Sequence, residues 1–156
     1  MAAITAAAVM ALREKTGLPM MECKKALIET KGDLEKAVDL LRSNSALKAE
    51  KKSSRVAADG ILVSTLTDNY ATILEINTET DFAAKDSSFL SFAEKVKTYI
   101  TENKVTDINS LEDSSLEEER KTLIQTIGEN IQLRRIETID FTSEMKKGLY
   151  LSLIHI

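Results

Sequence analysis

The sequence predicts an α+β protein in which a small helical domain precedes an antiparallel sheet with helices on one face. Two observations lead to this fold class. Residues 60–66 and 70–77 are rich in β-branched and apolar side chains and flank a turn-forming segment at 67–69. Most other apolar residues recur at helical spacing, and the element order after the first 55 residues is β-β-α-α-β.

Three short helices are predicted in the first 45 residues. Thr5 is a suitable N-cap for the first helix, which ends before Gly17. Pro19 stands where the second helix begins, Gly32 stops it, and Asp33 caps the third. Helices of this length are stable only when they pack together, so we expect a three-helix domain. The apolar stripes on the second and third helices are Met20, Cys23 and Leu27, and Leu34, Ala37, Val38 and Leu41.

A basic linker is predicted at residues 46–55, which contain Lys48, Lys51, Lys52 and Arg55 and have no strong apolar period. Part of it can be helical. Charge also divides the chain here, because residues 1–60 carry a net charge of +3 and residues 61–156 carry −7. The difference between a weakly basic N-terminal part and an acidic remainder indicates two modules.

The second predicted domain covers residues 56–150 and begins with the hairpin of the two strands. Asp86 or Ser87 then caps a helix with apolar residues on one face. Ser115 and Glu118 form a capping box for a second helix, which Gly128 ends. Residues 131–139 form the third strand. We expect a half-core in which an antiparallel sheet packs against helices on one face.

Composition excludes several classes of protein. The single cysteine cannot form an intramolecular disulfide. No apolar run approaches the ~20 residues needed to span a membrane, and no basic residue precedes the apolar N-terminus as in a signal peptide. The net charge of −4 argues against a nucleic-acid binder. We therefore expect a cytoplasmic protein with no membrane or nucleic-acid partner.

The last six residues, 151–156, read Leu-Ser-Leu-Ile-His-Ile. This is the translation of a transposon end used in common sequencing adapters. We interpret the segment as an adapter scar and exclude it from functional reasoning, although its composition would also suit a short native strand.

The sequence lacks most of the residue combinations that enzymes use for catalysis. The only histidine lies in the terminal segment, so a serine or cysteine nucleophile would have no base. No phosphate-binding glycine motif is present. Glu75, Glu79 and Asp81 could hold a divalent cation, but solvated loop residues are the favoured interpretation. Cys23 lies on an apolar stripe and is interpreted as a small core residue.

The segment Thr80-Asp81-Phe82 is unusual, because an aromatic residue follows an acid in a polar loop after a strand. Two interpretations are open. Phe82 can fold back as a core plug while Asp81 makes a turn hydrogen bond, which local physics favours. Alternatively, Phe82 is an exposed wedge for a partner, since loops display binding residues and aromatic side chains anchor interfaces.

The sequence contains three ordered blocks: TGLPMMECKKAL at 16–27 with Gly32-Asp33, AADG at 57–60 with EINTETDFAAKD at 75–86, and IGENI at 127–131 with Arg134-Arg135. Together these blocks resemble the signatures of the bacterial elongation factor Ts family. The resemblance covers residues 1–140. It implies an N-terminal domain similar to ubiquitin-associated domains, a linker, and the first of two related α+β half-cores. The second half-core and the C-terminal segments usual in bacterial members are not in this chain, which suggests a truncated reading frame.

The resemblance implies a non-enzymatic guanine-nucleotide exchange factor that needs no cofactor or metal of its own. Its partner is the GTPase domain of elongation factor Tu, whose binding of GDP and Mg²⁺ opposes its binding of the factor. This coupling is reciprocal. In the family, the Asp-Phe pair enters the GTPase near the nucleotide. The matching residues here are Thr80, Asp81, Phe82 and Ala83, and we call them the exchange loop.

Two further groups of residues are implied as partner-binding. Ile127, Gly128, Glu129 and Asn130 lie beside the loop in the family and support it, although Gly128 can equally end a helix and Ile127 can equally be core. The N-terminal domain docks on another helix of the GTPase. Its contacts here are Arg13, Met20, Met21 and Lys24, which we call the N-terminal contact surface. Met20 can instead be core, and Arg13 and Lys24 can be ordinary solvated charges.

Other functions remain open from the sequence. The chain could be a fragment that binds elongation factor Tu weakly or not at all and does not exchange its nucleotide. It could be a helical module for ubiquitin-like proteins, although this leaves the Asp-Phe segment unexplained. It could also be an enzyme that uses Mg²⁺ at the acidic residues.

Overall fold

A computed structural model describes residues 4–112, 114–142 and 146–150 of the chain. It has the predicted α+β architecture, and the terminal segment 151–156 lies outside the described residues. The helices are α1 Ala6–Thr16, α2 Met20–Glu29, α3 Leu34–Lys52, α4 Asp81–Ala84, α5 Ser87–Asn103, α6 Asn109–Glu112 and α7 Ser115–Ile127; the strands are β1 Asp59–Leu66, β2 Tyr70–Thr78 and β3 Ile131–Asp140.

The first three helices enclose a small core of their own, and their ends follow the predicted caps. The Thr5 hydroxyl accepts a hydrogen bond from the Ala8 amide at 3.2 Å, and Asp33 accepts one from the Lys36 amide at 3.1 Å. Gly17 ends α1 in the left-handed conformation at φ 68°. The buried members of this core are Val9, Leu12, Leu18, Cys23, Ala26, Leu27, Ala37 and Leu41.

Two residues of the predicted stripes are exposed. Met20 is 46% exposed and Leu34 is 36% exposed, so neither belongs to the buried core. Both stand in the first turn of their helices, where the chain has only begun to approach its neighbours. The interpretation of Met20 as a core residue is therefore wrong.

Helix α3 extends well beyond the predicted third helix. It continues to Lys52, so residues 46–52 of the predicted linker are helical. Its second half packs along α7 and buries Ser45 and Ala49. The first half belongs to the helical domain, and one continuous helix therefore joins this domain to the second core.

The sheet is antiparallel, as predicted, and its strands lie in the order β1-β2-β3. Gly60 pairs with Asn77, and Thr78 pairs with Ile131 at the same end of the sheet. Gly60 has φ +146°, and a Cβ atom built there would lie 2.7 Å from the Asn77 Cα. This position therefore requires glycine.

Helices α5 and α7 cover one face of the sheet and complete the main core with Leu74, Ile76 and Phe89. Ser114, not Ser115, caps α7, because its hydroxyl accepts from the Leu116 amide at 3.3 Å. The predicted capping box of Ser115 and Glu118 is therefore wrong, because the N-cap lies one residue earlier. Among the described residues, no helix is long and apolar enough to cross a membrane.

Candidate partner-binding site

The exchange loop follows β2 and forms one short helix, α4. Ala83 and Ala84 turn inward and are buried, whereas the Phe82 side chain is 81% exposed. The two small alanines fill the space beneath the turn, so the ring stays in solvent. The prediction that Phe82 is a core plug is therefore wrong, and its ring is accessible to a partner.

Thr80 fixes the start of this helical turn. Its amide donates to Oε2 of Glu129 at 3.0 Å, and its hydroxyl donates to Oε1 of the same carboxylate at 2.7 Å. The same hydroxyl accepts from the Ala83 amide at 3.3 Å and so caps α4. On the strand side, the buried Thr78 donates to the Thr80 carbonyl at 2.9 Å. The two bonds to Glu129, here called the Glu129 clamp, tie the loop to the segment after α7.

Asp81 lies beside Phe82 on the surface. Its carboxylate accepts a hydrogen bond from the Lys85 ammonium at 2.7 Å, one helical turn away. This bond holds the pKa of Asp81 below its ordinary value. Asp81 is therefore ionised at neutral pH and presents a negative charge next to the exposed ring.

The four residues 127–130 meet the loop in different ways. Gly128 ends α7 at φ 90°, and Ile127 is half-buried against the main core. A shallow depression of about 360 Å³ lies between the exchange loop and the end of α7, and Phe82, Ile127 and Glu129 are among the residues that line it. The structure thus brings the exchange loop and the predicted supporting segment together at one place.

Asn130 connects the loop to the end of the linker. It is 1% exposed, and its amide donates to Oε1 of Glu79 at 2.6 Å. Its side chain donates to the Arg55 carbonyl at 2.9 Å, and Arg55 also pairs with Glu79 at 3.4 Å. This role of Arg55 was not predicted, because the basic segment 46–55 contains no pattern that indicates its contacts.

The residues of the N-terminal contact surface lie on α1 and α2, and all four are exposed. Met21 is the most prominent apolar side chain among them, at 64% exposure. Met10 and Ile28, which were not predicted, are also exposed on these two helices, at 53% and 57%. Single apolar side chains are commonly exposed on protein surfaces, so these exposures show that the residues are accessible and do not by themselves assign a contact.

The three carboxylates considered for a cation engage separate partners. Glu75 pairs with Arg134 and Arg135, Glu79 with Arg55, and Asp81 with Lys85. Burial alone would raise the pKa of Glu75, but hydrogen bonds from Asn77 and the two arginines leave it below its ordinary value. Within the described ranges, no group of three potential ligands is arranged to hold a metal ion.

Cys23 is fully buried in the helical core, as predicted. Its sulfur lies 3.6 Å from the Leu18 carbonyl oxygen and 3.7 Å from the Thr16 hydroxyl. A thiol in this position packs as a small apolar residue.

Comparison with known proteins identifies the family. A profile of the family described as "Elongation factor TS" matches residues 79–154, a range that includes the first four residues of the terminal segment. The interpretation of that segment as an adapter scar stays a prediction. The chain is 51% identical over 137 residues to elongation factor Ts of Hahella chejuensis, a match covering 86% of this chain and 48% of that protein.

Similar matches come from enteric bacteria. Elongation factor Ts of Cronobacter sakazakii is 49% identical and that of Escherichia coli 48% identical, each over 140 residues. Both alignments cover 90% of this chain and 49% of the relative. The chain therefore spans about half the length of the curated relatives it matches, and it corresponds to their N-terminal portion. The chain belongs to the elongation factor Ts family.

Proposed function

We propose that the chain acts in translation elongation by binding the GTPase domain of elongation factor Tu and promoting release of its GDP and Mg²⁺. The observation that carries this proposal is the Phe82 ring, which is 81% exposed on a turn held by the Glu129 clamp. Membership of the family supports the choice of partner. The chain spans about half the length of its relatives, and we assign the exchange activity to this half.

Exposure of a phenylalanine ring has a cost that a partner would recover. Burial of such a side chain contributes roughly 1.5–3 kcal/mol. Because the clamp fixes the turn beforehand, little additional conformational entropy is lost when the ring enters a pocket. Phe82 would therefore act as a pre-organised wedge that shifts packed elements of the GTPase.

Asp81 would position the wedge on the partner's surface. Its carboxylate is ionised and exposed, and Lys85 holds it beside the ring. In the complex it would accept hydrogen bonds from backbone or side-chain donors of the GTPase. The N-terminal contact surface would add a second contact, in which the exposed Met21 adapts to an apolar patch.

Release of a fluorescent GDP analogue from a bacterial elongation factor Tu tests this function. We expect the chain to accelerate release, and we expect Phe82→Ala to reduce the acceleration by about 30-fold, as for an interface residue contributing about 2 kcal/mol. Ile139→Ala is the matched control. Ile139 is 61% exposed and pairs with Ala71, at the opposite end of the sheet from the loop.

The outcomes separate the alternatives. Acceleration that depends on Phe82 and not on Ile139 supports the proposal. If calorimetry detects binding but release stays unchanged, the chain is a binding fragment without exchange activity. Absence of both binding and release, with the chain folded by circular dichroism, would refute the proposal for this chain.

A further inference from the structure

The N-terminal domain and the second core are joined by a network of polar side chains. Glu22 lies on α2 between Met21 and Lys24 of the N-terminal contact surface. One of its carboxylate oxygens accepts from the Lys48 ammonium at 2.6 Å, and the other accepts from the Gln125 side-chain amide. Gln125 in turn accepts from the Ser45 hydroxyl. The network therefore connects α2, α3 and α7.

The Ser45 and Gln125 side of this network is buried, whereas the Glu22 and Lys48 side chains are 32% and 41% exposed. Ser45 is 1% exposed and Gln125 is 9% exposed. A buried amide that both donates and accepts is fixed in one orientation, since loss of either bond would leave a polar group unsatisfied. The bond from Gln125 to Glu22 is thus a directional link between two domains.

Helix α7 leads from this link to the exchange loop. Gln125 lies in the last turn of α7, and Glu129, whose carboxylate holds Thr80, follows two residues after the helix ends at Ile127. Lys52, at the end of α3, donates to the Ile124 carbonyl at 3.5 Å and so contacts the same last turn of α7. The two proposed partner contacts are therefore supported by one element, which meets α2 on one side and the loop on the other.

We propose that Glu22 and Gln125 are positioning residues that hold the N-terminal contact surface at a fixed place relative to the exchange loop. The two surfaces then engage one GTPase molecule together. The inference rests on the proposed function for its consequence, but the positional link is a property of the free chain. Two contacts on a rigid frame raise each other's effective concentration, and a loose frame loses this gain.

The first test concerns the free chain. In a Cys23→Ala background, nitroxide labels at Glu14→Cys on α1 and Glu102→Cys on α5 report the distance between the domains by pulsed electron resonance. Gln125→Glu places two carboxylates against each other and should broaden the distance distribution. The exchanged pair Glu22→Gln with Gln125→Glu restores an amide facing a carboxylate and should narrow the distribution again. An unchanged distribution in Gln125→Glu would overturn the inference whether or not the chain exchanges nucleotide.

The second test uses the release assay. Gln125→Glu should raise the concentration for half-maximal release by about 10-fold or more and leave the maximal rate unchanged, because the exchange loop is intact. The exchanged pair should recover the original value. In a Met21→Ala, Lys24→Ala background, Gln125→Glu should change the half-maximal concentration less than about 2-fold, since the second contact is already lost.

The two tests distinguish failure of the positioning role of Glu22 and Gln125 from failure of the proposed exchange function. If the unaltered chain does not accelerate release, the proposed function fails, and the distance measurement alone decides the inference. If release is accelerated but Gln125→Glu has the same effect in both backgrounds, the substitution acts through general stability. The positioning role is then wrong. The exchanged pair removes the charge of Glu22 from α2. Glu29→Ala removes a charge from an exposed position of the same helix and is the control for that loss.

Discussion

Removal of the Glu129 carboxylate should disable the exchange loop while leaving the chain folded. Glu129→Ala deletes two hydrogen bonds, to the Thr80 amide at 3.0 Å and to its hydroxyl at 2.7 Å. A hydrogen bond to a charged group contributes about 1.5–3 kcal/mol when it is buried. Because Glu129 is half-buried, we expect the two bonds together to stabilise the loop by about 2 kcal/mol.

This local loss translates into a change in apparent affinity. A destabilisation of about 2 kcal/mol allows the loop to be open most of the time if its folded form is only marginally stable. The apparent affinity falls with the fraction of molecules in the competent form. At 1.4 kcal/mol for each factor of ten, the concentration for half-maximal release should rise by up to about 30-fold.

Two measurements on Glu129→Ala test whether the clamp holds the loop. Hydrogen exchange should show faster exchange at the Thr80 and Ala83 amides, while amides of the β2–β3 ladder stay protected. The release assay should show the shift in half-maximal concentration. Glu119→Ala is the matched control, because it also removes one carboxylate but breaks only the exposed pair between Glu119 on α7 and Lys95.

Either of two results would contradict this role of the Glu129 clamp. If Glu129→Ala exchanges the Thr80 amide at the original rate, the clamp does not hold the loop. If Glu119→Ala weakens release as much as Glu129→Ala, the effect comes from net charge.

Two further predictions concern the scaffold. Gly60→Ala should lower the free energy of unfolding in urea by about 3 kcal/mol, because φ is +146° and the added Cβ meets the backbone of the neighbouring strand. The control Gly148→Ala, whose added Cβ meets nothing within 4 Å, should change the free energy of unfolding by less than about 0.5 kcal/mol. Glu75→Gln should lower stability by about 1 kcal/mol at neutral pH, since its arginine partners are largely exposed. The folded pKa of Glu75 is lowered, so its contribution is present above the ordinary glutamate pKa and lost as pH falls through the folded value. The urea midpoints of the two proteins should therefore converge in acid, and a constant difference down to about pH 2 would contradict the assignment.

Local signals in the sequence predicted most of the secondary structure. Thr5, Asp33 and Asp86 cap helices where expected, because a cap depends on a side chain and amides only two or three residues away. Gly17 and Gly128 likewise end helices through their own backbone conformation. The strands were predicted within one residue at each end. All these features are decided within a few residues.

Features decided by tertiary contacts were missed. The second half of α3 has no apolar period, because its buried positions are Ser45 and Ala49. These residues are small enough for α7 to approach closely, and Ser45 is satisfied by Gln125, eighty residues away. The exposure of Phe82 was misjudged for a similar reason. Hydrophobicity alone favours burial of the ring, but Ala83 and Ala84 already occupy the inner side of the turn.

The Glu129 clamp itself follows from the sheet once the register is known. Thr78 pairs with Ile131 at the end of the β2–β3 ladder, and continuing that register places Glu79 opposite Asn130 and Thr80 opposite Glu129. The observed hydrogen bonds join these same two pairs. The ladder itself ends at Thr78 and Ile131, and side-chain hydrogen bonds join the next two pairs.

A bulge determines which residues meet. Glu75 pairs with Arg135 and Ile76 with Leu133, so Arg134 is an extra residue in β3 and shifts the register by one. Without that shift, the register continued past the end of the ladder would place Glu129 opposite Asp81 instead of Thr80. Glu75 holds the bulge through both arginines, at 2.9 and 2.8 Å. The position of the loop therefore depends on the bulge and on the ion pairs of Glu75 with Arg134 and Arg135. The alternation of apolar and polar residues in the strands does not reveal the bulge, so the sequence alone could not predict the clamp.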